Sequence, residues 1–532
     1  MDPADLEVFR HRVASVAEAM GATLQRAASS PNIKERLDFS CAVFDARGRL
    51  VAQAAHIPVH LGAMPAAVAA VRAHGRPLEP RDVVVLNAPY LGGSHLPDLT
   101  TVSPVHVPGD PRPRYYLATR AHHADVGGSA PGSLPIANDL HGEGLVLPPV
   151  HLVRGGHLVA DMVDMICANS RTPDERRGDL EAQIAAHQVG SDRILALHAT
   201  EPRGLEPAID ALLGYSARLA LAALREIPDG CYGFEDWLDD NGHGDGPLRI
   251  AVQVRVRDGR LYADFTGTAA EARGGVNAPL SVTWAAVCYV VACLVGDAPI
   301  NAGTFEAVDV VAPPGCLLNP SRAAAVAGGN VETSQRVVDV VLGALAVALP
   351  SRIPAASQGT MNNVVVGGFD ERTGRTFAYY ETLGGGAGAG PEGRGADGSQ
   401  VHMTNTRNTP AEALEVACPI RVDAYRIRPA SGGPGRHAGG DGIERRLRFL
   451  TPAHVSLFTE RRDRAPWGLG GGEPAQRGEN RLVASGEVGE RHLPAKGSFG
   501  VSQGDVLIVR TPGGGGWGEP VTGSGTTSPA AT

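Results

Sequence analysis

The start of the chain carries apolar side chains at every third or fourth position. This spacing predicts an amphipathic helix that Asp5 caps and that the Ser29-Ser30-Pro31 segment ends. Residues 334–348 show the same period, and residues 64–74 and 172–224 are rich in helix-forming residues, so we predict helices there too. The stripe of the first helix comprises Leu6, Phe9, Val13, Val16, Met20 and Leu24.

Strand patterns, in which apolar residues alternate or cluster over short stretches, occupy other parts of the chain. Residues 38–45 and 49–53 flank a turn at Gly48, which predicts a β-hairpin. Residues 229–246 are rich in Asp and Gly, and we predict a loop there that marks a domain boundary. Further strands are predicted at residues 83–86, 115–119, 248–256, 260–265 and 376–381.

The order of these elements predicts the fold class. No regular alternation of strand, helix and strand occurs, so an α+β fold is favoured over a doubly wound parallel sheet. A chain of 532 residues is long enough for several domains. We predict a multidomain protein of mixed sheets and helices, with an N-terminal domain at 1–225, a central α+β domain at 226–420 and a β-rich C-terminal domain at 421–532.

An uncharged stretch at residues 274–296 raises the question of a membrane span. Its strongly apolar part covers only residues 284–295, which is too short to cross about 30 Å of hydrocarbon, so we predict a buried core helix. The net charge is −9 and no long basic run occurs. We therefore expect neither a nucleic-acid partner nor a membrane partner.

The cysteine pattern indicates the compartment. Seven cysteines lie far apart, without a Cys-x-x-Cys pair, which is typical of proteins in a reducing cytosol. Residues 1–10 carry three acidic side chains and no apolar core of a signal peptide. We therefore predict a cytoplasmic protein.

The densest group of imidazoles and carboxylates lies between His95 and Asp125. His95 and Asp98 are separated by Leu96-Pro97, so they lie in a turn and can converge on one ion. Imidazole and carboxylate ligands suit Zn²⁺, Mn²⁺ or Fe²⁺. A catalytic ion needs about three protein ligands, which leaves coordination positions open. The sequence therefore predicts a site for a divalent transition metal.

The adjacent His122 and His123 follow a predicted strand, on which neighbouring side chains point to opposite faces. His123 and Asp125 would share one face, and His122 would point to the other. We therefore expect one of the two histidines to join His95 and Asp98, and we choose His123 as the third metal ligand. His122 and Asp125 are then the candidates for moving protons as general base or acid.

A structural interpretation of these residues stays open beside the chemical one. The histidines could simply hold turns together by hydrogen bonds. His56 and His60, on either side of Pro58, could support the metal site from behind or serve structural roles. Glu35 and Asp38 could be ligands or could pair with nearby arginines.

Two glycine-rich segments resemble nucleotide-binding loops, but one has the wrong spacing and the other lacks a following helix. Residues 384–390 contain no Gly-x-Gly-x-x-Gly pattern and are not followed by Lys-Ser/Thr. Their amides could still bind an anion or approach a substrate, so Gly386 and Gly388 are substrate-binding candidates. Residues 513–518 match the dinucleotide pattern, but no helix can follow in the Pro-, Gly- and Ser-containing tail, so we reject a dinucleotide site.

Residues 402–410 form a polar run in front of a predicted short helix. Arg407, together with Asn405, could bind a carboxylate or phosphate group of a substrate. Alternatively, Asn408 or Thr409 caps the helix. The serines and cysteines near these motifs lack the surroundings of a hydrolase nucleophile, so a Ser or Cys triad is not expected.

Nine short segments of the chain, taken in order, resemble segments of the hydantoinase B/oxoprolinase family. The resemblance covers nearly the whole chain and is highly specific as a set, although each segment alone is weak evidence. One departure is Ala88, where the family pattern has Asp, so a local carboxylate of the family is absent here. The matching segments are residues 35–40, 56–62, 92–98, 121–125, 329–333, 357–363, 384–390, 402–410 and 511–518.

The resemblance implies the B subunit of an ATP-dependent enzyme that hydrolyses a cyclic amide, such as 5-oxoproline or N-methylhydantoin. A partner A subunit of the actin-like ATPase type would bind ATP and Mg²⁺ in a hetero-oligomer, which fits the missing phosphate loop. Related carboxylases carry a metal in their B-like subunit, and their ligand pattern maps onto His95, Asp98 and His123.

We therefore predict metal-assisted ring opening of a lactam that the partner ATPase has activated. Two alternatives stay open. The chain could belong to an ATP-dependent carboxylase of the acetone or acetophenone type, or it could be a non-catalytic subunit that only holds the ATPase.

Overall fold

The computed structural model describes residues 1–55, 57–201 and 203–520. Its α-helices are α1 (Pro3–Ala27), α2 (Pro31–Lys34), α3 (His60–Ala73), α4 (Leu140–Glu143), α5 (Ala160–Ala168), α6 (Pro173–Ala199), α7 (Glu206–Leu224), α8 (Leu280–Val295), α9 (Ser334–Ala348) and α10 (Ala411–Ala417). Residues 521–532 of the predicted C-terminal domain lie outside the described residues.

The strands form four sheets within the described residues. The first consists, from edge to edge, of β2 (Leu50–Ala55), β1 (Phe39–Asp45), β5 (Pro113–His122), β4 (Asp98–His106), β3 (Val83–Leu86), β6 (Val150–Arg154) and β7 (His157–Leu158). The second consists of β11 (Val308–Val311), β10 (Arg260–Asp264), β9 (Leu248–Arg257) and β8 (Gly230–Leu238).

The other two sheets lie later in the chain. The third consists of β13 (Arg375–Glu381), β12 (Asn363–Asp370), β16 (Ala453–Phe458) and β19 (Lys496–Val501), so it joins strands from both sides of residue 421. The fourth consists of β14 (Ile420–Arg428), β15 (Gly442–Phe449), β20 (Val506–Arg510), β17 (Glu479–Val483) and β18 (Arg491–Leu493). Mixed sheets and helices confirm the predicted α+β class.

The two faces of the first sheet are covered by different helices. On β5, Leu117 packs in one core with side chains of α1 and α6, whereas Ala118 packs in another core with side chains of α3. Successive residues of a strand point to opposite faces, so odd-numbered residues of β5 face α6 and even-numbered residues face α3. This alternation places the side chains of the adjacent His122 and His123, at the end of β5, on opposite faces of the sheet.

Most of the locally encoded elements agree with the sequence predictions. The helix at residues 334–348 and the hairpin of β1 and β2 are confirmed. The uncharged stretch contains α8, whose core-facing side chains are fully buried. α7 is the one described helix long and apolar enough to cross a membrane by composition alone. Its Ile209 and Leu212 pack against α1, so part of its apolar surface is used inside the fold.

Two predictions about local structure are wrong. Residues 229–246 were predicted to be a loop, but Gly230–Leu238 forms β8 and pairs with β9 along its length. Tyr232 and Phe234 alternate with Cys231, Gly233 and Glu235, and this two-residue period is a stronger strand signal than the Asp and Gly content is a loop signal. The cap of α1 is Asp2, whose side chain accepts a hydrogen bond from Ala4 N at 2.8 Å, and not Asp5.

Candidate metal centre

A histidine–aspartate cluster forms where β4 begins and β5 ends. Asp98 and His122 are direct partners in the antiparallel ladder, so their side chains lie on the same face. His95 reaches them from the turn before β4. His95 Nδ1 lies 3.2 Å from Asp98 Oδ2, and His122 Nδ1 lies 3.4 Å from Asp98 Oδ1. One ligand atom from each of the three residues can be chosen so that all lie within 4.8 Å of one another.

Two further side chains hold Asp98 in place. Ser94 Oγ donates a hydrogen bond to Asp98 Oδ2 at 2.5 Å. His60, the first residue of α3, lies with Nε2 3.6 Å from the same oxygen and with Nδ1 2.9 Å from Ser40 Oγ. His60 thus occupies the supporting position that we predicted as one of its two roles. His56 lies outside the described residues.

The cluster is buried, and its side chains shift one another's pKa values. Burial would raise the pKa of Asp98, but its interactions with the neighbouring imidazoles of His95, His122 and His60 hold that pKa well below its usual value. Burial also lowers the pKa of His122, which favours a neutral imidazole. Asp98 is thus a buried carboxylate bordered by three imidazole side chains, an environment that suits a cation.

The unpartnered atoms of the cluster fit a metal ion. Among the described residues, neither ring nitrogen of His95 nor Nε2 of His122 has a well-aligned hydrogen-bond partner. Their side chains and Asp98 border a cavity of about 20 Å³, which is room for an ion or a water molecule. Two imidazoles and one carboxylate are a ligand set typical of Zn²⁺, Mn²⁺ or Fe²⁺. The residues present therefore fit a divalent transition metal.

The structure brings His122, and not the predicted His123, to His95 and Asp98. His123 points to the opposite face, where its Nε2 lies 3.1 Å from Gln183 Oε1 on α6. Burial, with Arg176 nearby, lowers the pKa of His123 to about 4. Strand parity correctly separates the two histidines, but only the pairing of β5 with β4 tells which of them faces Asp98.

The carboxylate of Asp125 accepts hydrogen bonds from nearby backbone amides and from Arg171. Its Oδ1 accepts hydrogen bonds from the backbone amides of Gly127 at 3.0 Å and Arg171 at 3.1 Å. Its Oδ2 accepts from Gly132 N and from Arg171 Nη1, both at 2.9 Å. Four donors from the loop and from Arg171 occupy this carboxylate, so the proton-transfer role predicted for Asp125 has no support in the geometry.

The glycine segment at residues 384–390 is packed against other backbone segments. Gly386 N donates to Pro512 O at 3.0 Å, and Gly388 N donates to Ser357 Oγ at 3.1 Å. A Cβ added at Gly386 would lie 2.0 Å from Gly440 O, and one at Gly388 would lie 1.9 Å from Ala355 O. These glycines permit close backbone approach within the protein, so the predicted substrate-binding role of Gly386 and Gly388 is not supported.

The polar run at residues 402–410 touches the cavity at one residue, Thr404. Thr404 borders the cavity, whereas the side chains of Asn405 and Arg407 are exposed. The backbone of Arg407 is held by Arg36, through Arg407 N to Arg36 O at 3.0 Å. Substrate binding by Asn405 and Arg407 stays a prediction. The alternative role of Asn408 or Thr409 is wrong, because Pro410 occupies the cap position of α10 and no side chain caps it.

Two residues at the cavity were missed by the sequence analysis. The ring of Tyr380 stacks on the ring of His122, with centroids 4.5 Å apart and planes inclined by 20°. Arg36 lies near the same aromatic ring, 4.7 Å from its centroid. Asn330 borders the cavity from the segment before α9. Residues 329–333 are one of the segments that resemble the family, but the resemblance gives them no chemical role.

Comparison with known proteins agrees over almost the whole chain. A family model described as hydantoinase B/oxoprolinase matches residues 2–520. 5-oxoprolinase 1 of Arabidopsis thaliana is 41% identical over 98% of this chain, which spans only 42% of the plant protein. The putative B subunit of a D-/L-hydantoinase from a Pseudomonas species is 30% identical, with 98% of this chain and 90% of that protein covered.

A solved structure shows the same relationship in three dimensions. The ATP-dependent caprolactamase from Pseudomonas jessenii superimposes with a TM-score of 0.90 and 26% identity, over 98% of this chain and 91% of that chain. The family match extends over far more than half of the sequence. The chain therefore belongs to the hydantoinase B/oxoprolinase family.

Proposed function

We propose that this chain is the B subunit of an ATP-dependent cyclic-amide hydrolase and that His95, Asp98 and His122 hold a divalent transition metal in it. The observation that carries the proposal is the buried cluster with unpartnered imidazole nitrogens. The relatives support the substrate class, because 5-oxoproline, hydantoins and caprolactam all contain an amide inside a ring.

The chemistry divides between two subunits. An amide is a poor electrophile, and phosphorylation of its carbonyl oxygen by a partner ATPase would create a good leaving group. A metal ion held by this chain would supply Lewis-acid polarisation and lower the pKa of bound water. Three protein ligands leave coordination positions open for water and substrate.

The residues of this chain have distinct tasks around that centre. His122 is assigned as a ligand, so it no longer serves as the general base that we predicted. His60 is the neighbouring imidazole, and its Nε2 can hold a proton beside Asp98 while Ser40 fixes Nδ1. The cavity is too small for a lactam ring, so substrate entry requires its walls to separate.

The isolated chain is expected to bind ATP weakly or not at all. Its sequence has no Gly-x-x-x-x-Gly-Lys-Ser/Thr loop, and the backbone amides of Gly386 and Gly388 already donate hydrogen bonds within the protein. Isothermal titration calorimetry of the chain with MgATP, in the absence of other proteins, measures this. Binding in the micromolar range would place the ATP site on this chain and contradict the division of tasks.

The chain is expected to form a stable complex with an A-type ATPase subunit. The chain spans about two-fifths of the plant 5-oxoprolinase, whose remaining length has room for an ATPase region. It covers nine-tenths of a hydantoinase protein named as a subunit. Size-exclusion chromatography of the co-expressed pair should show one peak containing both chains. Separate elution at micromolar concentration would count against the assembly.

The proposed function itself is tested by turnover. The co-expressed pair is assayed for ATP hydrolysis and product formation with 5-oxoproline, hydantoin, caprolactam and a ketone panel. We expect ring-opened product from at least one lactam in step with ATP hydrolysis. Carboxylation of a ketone in place of lactam opening would instead support the carboxylase alternative. Turnover without metal at this cluster would support the alternative in which this chain is a non-catalytic subunit that only holds the ATPase.

A further inference from the structure

The segment before α9 places a polar side chain at the wall of the metal cavity. Asn330 lies on a single π turn, Gly329–Thr333, an element that often occurs at functional sites. Asn330 is 3% exposed and borders the same cavity as His95 and His122. Its side-chain oxygen has no hydrogen-bond partner among the described residues.

The turn does not need the side chain of Asn330 to hold its shape. Asn330 N donates to Val326 O at 3.2 Å, and Ser334 Oγ donates to Asn330 O at 2.6 Å. A Cβ at Gly329 would lie 1.8 Å from Asn277 O, so the turn packs directly on another backbone segment. A buried carboxamide oxygen without a partner is unfavourable unless a ligand satisfies it.

The neighbouring Glu332 holds Met361, which borders the cavity, and Asn363, which holds Tyr380 at the cavity. Its Oε1 accepts hydrogen bonds from Met361 N at 3.1 Å and from Asn363 Nδ2 at 2.6 Å. Asn363 Oδ1 in turn accepts from the hydroxyl of Tyr380 at 2.8 Å. The scaffold thus uses Oε1 of Glu332, while Oε2 has no hydrogen-bond partner among the described residues. The side-chain oxygen of Asn330, which borders the cavity, also lacks a partner among these residues.

We propose that Asn330 hydrogen-bonds the amide group of the ring substrate beside the metal ion. This inference rests on the proposed function and adds a substrate contact to it. In a small lactam the ring forces the amide into the cis form, so its N–H and C=O leave from one edge. The carboxamide of Asn330 also presents a donor and an acceptor from one edge. The two groups can therefore form a pair of hydrogen bonds.

The same pairing discriminates against open-chain amides. A secondary amide outside a ring is almost always trans, so its N–H and C=O point to opposite edges and only one of them can reach Asn330. Asn330 is thus expected to select cyclic amides as a class, while other parts of the complex distinguish one ring from another.

The test compares variants of the metal-loaded complex of both subunits. Asn330→Leu removes the polar atoms at similar size, and Val331→Ala is the matched control at the same cavity wall. Binding of 5-oxoproline, hydantoin and caprolactam is measured by calorimetry without ATP, with N-methylacetamide as the open-chain control. Metal content and circular dichroism are recorded for each variant.

For the ring that the parent complex binds best, we expect Asn330→Leu to weaken binding about tenfold or more. The preference for that ring over N-methylacetamide should fall by a similar factor. Metal content should stay at the parent level, and Val331→Ala should bind like the parent. If Asn330→Leu fails to fold, Asn330→Asp replaces it, because it keeps the shape and the acceptors but loses the donor.

Three results would overturn the inference, and they are distinguishable. Parent-like lactam binding by a folded Asn330 variant would exclude the substrate contact but leave the proposed function intact. Loss of metal in that variant would make Asn330 a metal ligand. Absence of both lactam binding and lactam turnover in the parent complex would remove the proposed function, and the inference with it.

Discussion

Replacing His95 or His122 with alanine is expected to remove most of the bound metal and to lower lactam turnover by a factor of about 100 or more. Loss of a residue that merely supports a ligand typically costs about 10–100-fold, so loss of a ligand should cost at least as much. His95 lies in a turn and His122 at the end of a strand, so neither change removes much of the core. Elemental analysis measures the metal content, an ATP-dependent lactam assay of the complex measures turnover, and circular dichroism checks that the variants fold.

The matched control for these variants is His123→Ala, one position further along the chain. This change removes the contact with Gln183 on the α6 face and should destabilise the fold by about 1–3 kcal/mol, because Gln183 loses a buried partner. Its metal content should equal that of the parent protein. Metal loss in His123→Ala without loss in His122→Ala would restore His95, Asp98 and His123, the ligand set predicted from the sequence.

Gly388→Ala is expected to destabilise the protein by more than about 3 kcal/mol or to prevent folding. Its Cβ would lie 1.9 Å from Ala355 O, and backbone atoms cannot move aside as the end of a flexible side chain can. Gly390→Ala, two residues later, meets no atom within 4 Å and should unfold close to the parent temperature. Thermal unfolding followed by circular dichroism compares the two.

The same pair of variants decides between packing and substrate contact. If Gly388 approached the substrate and not Ala355, Gly388→Ala would fold normally and lose only lactam binding. A normal unfolding temperature with weakened binding would therefore contradict the packing role assigned to the glycine segment.

Elements whose signal is local could be predicted from the sequence. The stripe of α1, the period of α9 and the hairpin of β1 and β2 depend on residues close together in the chain, and all three are confirmed. β8 was predicted wrongly although its signal is also local, because residues 229–246 combine the Asp and Gly content of a loop with the alternating apolar side chains of a strand.

The cluster of His95, Asp98 and His122 could be predicted from the sequence only in part, for a physical reason. His95 and Asp98 are three residues apart, so their proximity follows from one turn. The third histidine depends on the register between β4 and β5 and on which helix covers each face, and neither is encoded near residues 122–123. Alternation therefore gave two histidines on opposite faces, and the choice between them required the packed sheet.

The role of the glycine segment at residues 384–390 also depends on residues that are distant in the sequence. Repeated glycines permit an anion-binding loop and permit close packing of backbones equally well. The partners that decide between them, such as Gly440 and Pro512, lie more than 40 residues away in sequence. Asn330 could not be predicted from the sequence, because an isolated Asn before a helix forms no pattern. Only its burial without a hydrogen-bond partner among the described residues distinguishes it.

Anomalous X-ray diffraction at the absorption edge of the bound metal, on crystals of the metal-loaded complex, tests the metal centre most directly. We expect one strong peak in the cavity between β4, β5 and the π turn, within coordination distance of His95, Asp98 and His122. A fully loaded crystal with its peak beside His123, or with no peak in this cavity, would contradict the proposed centre.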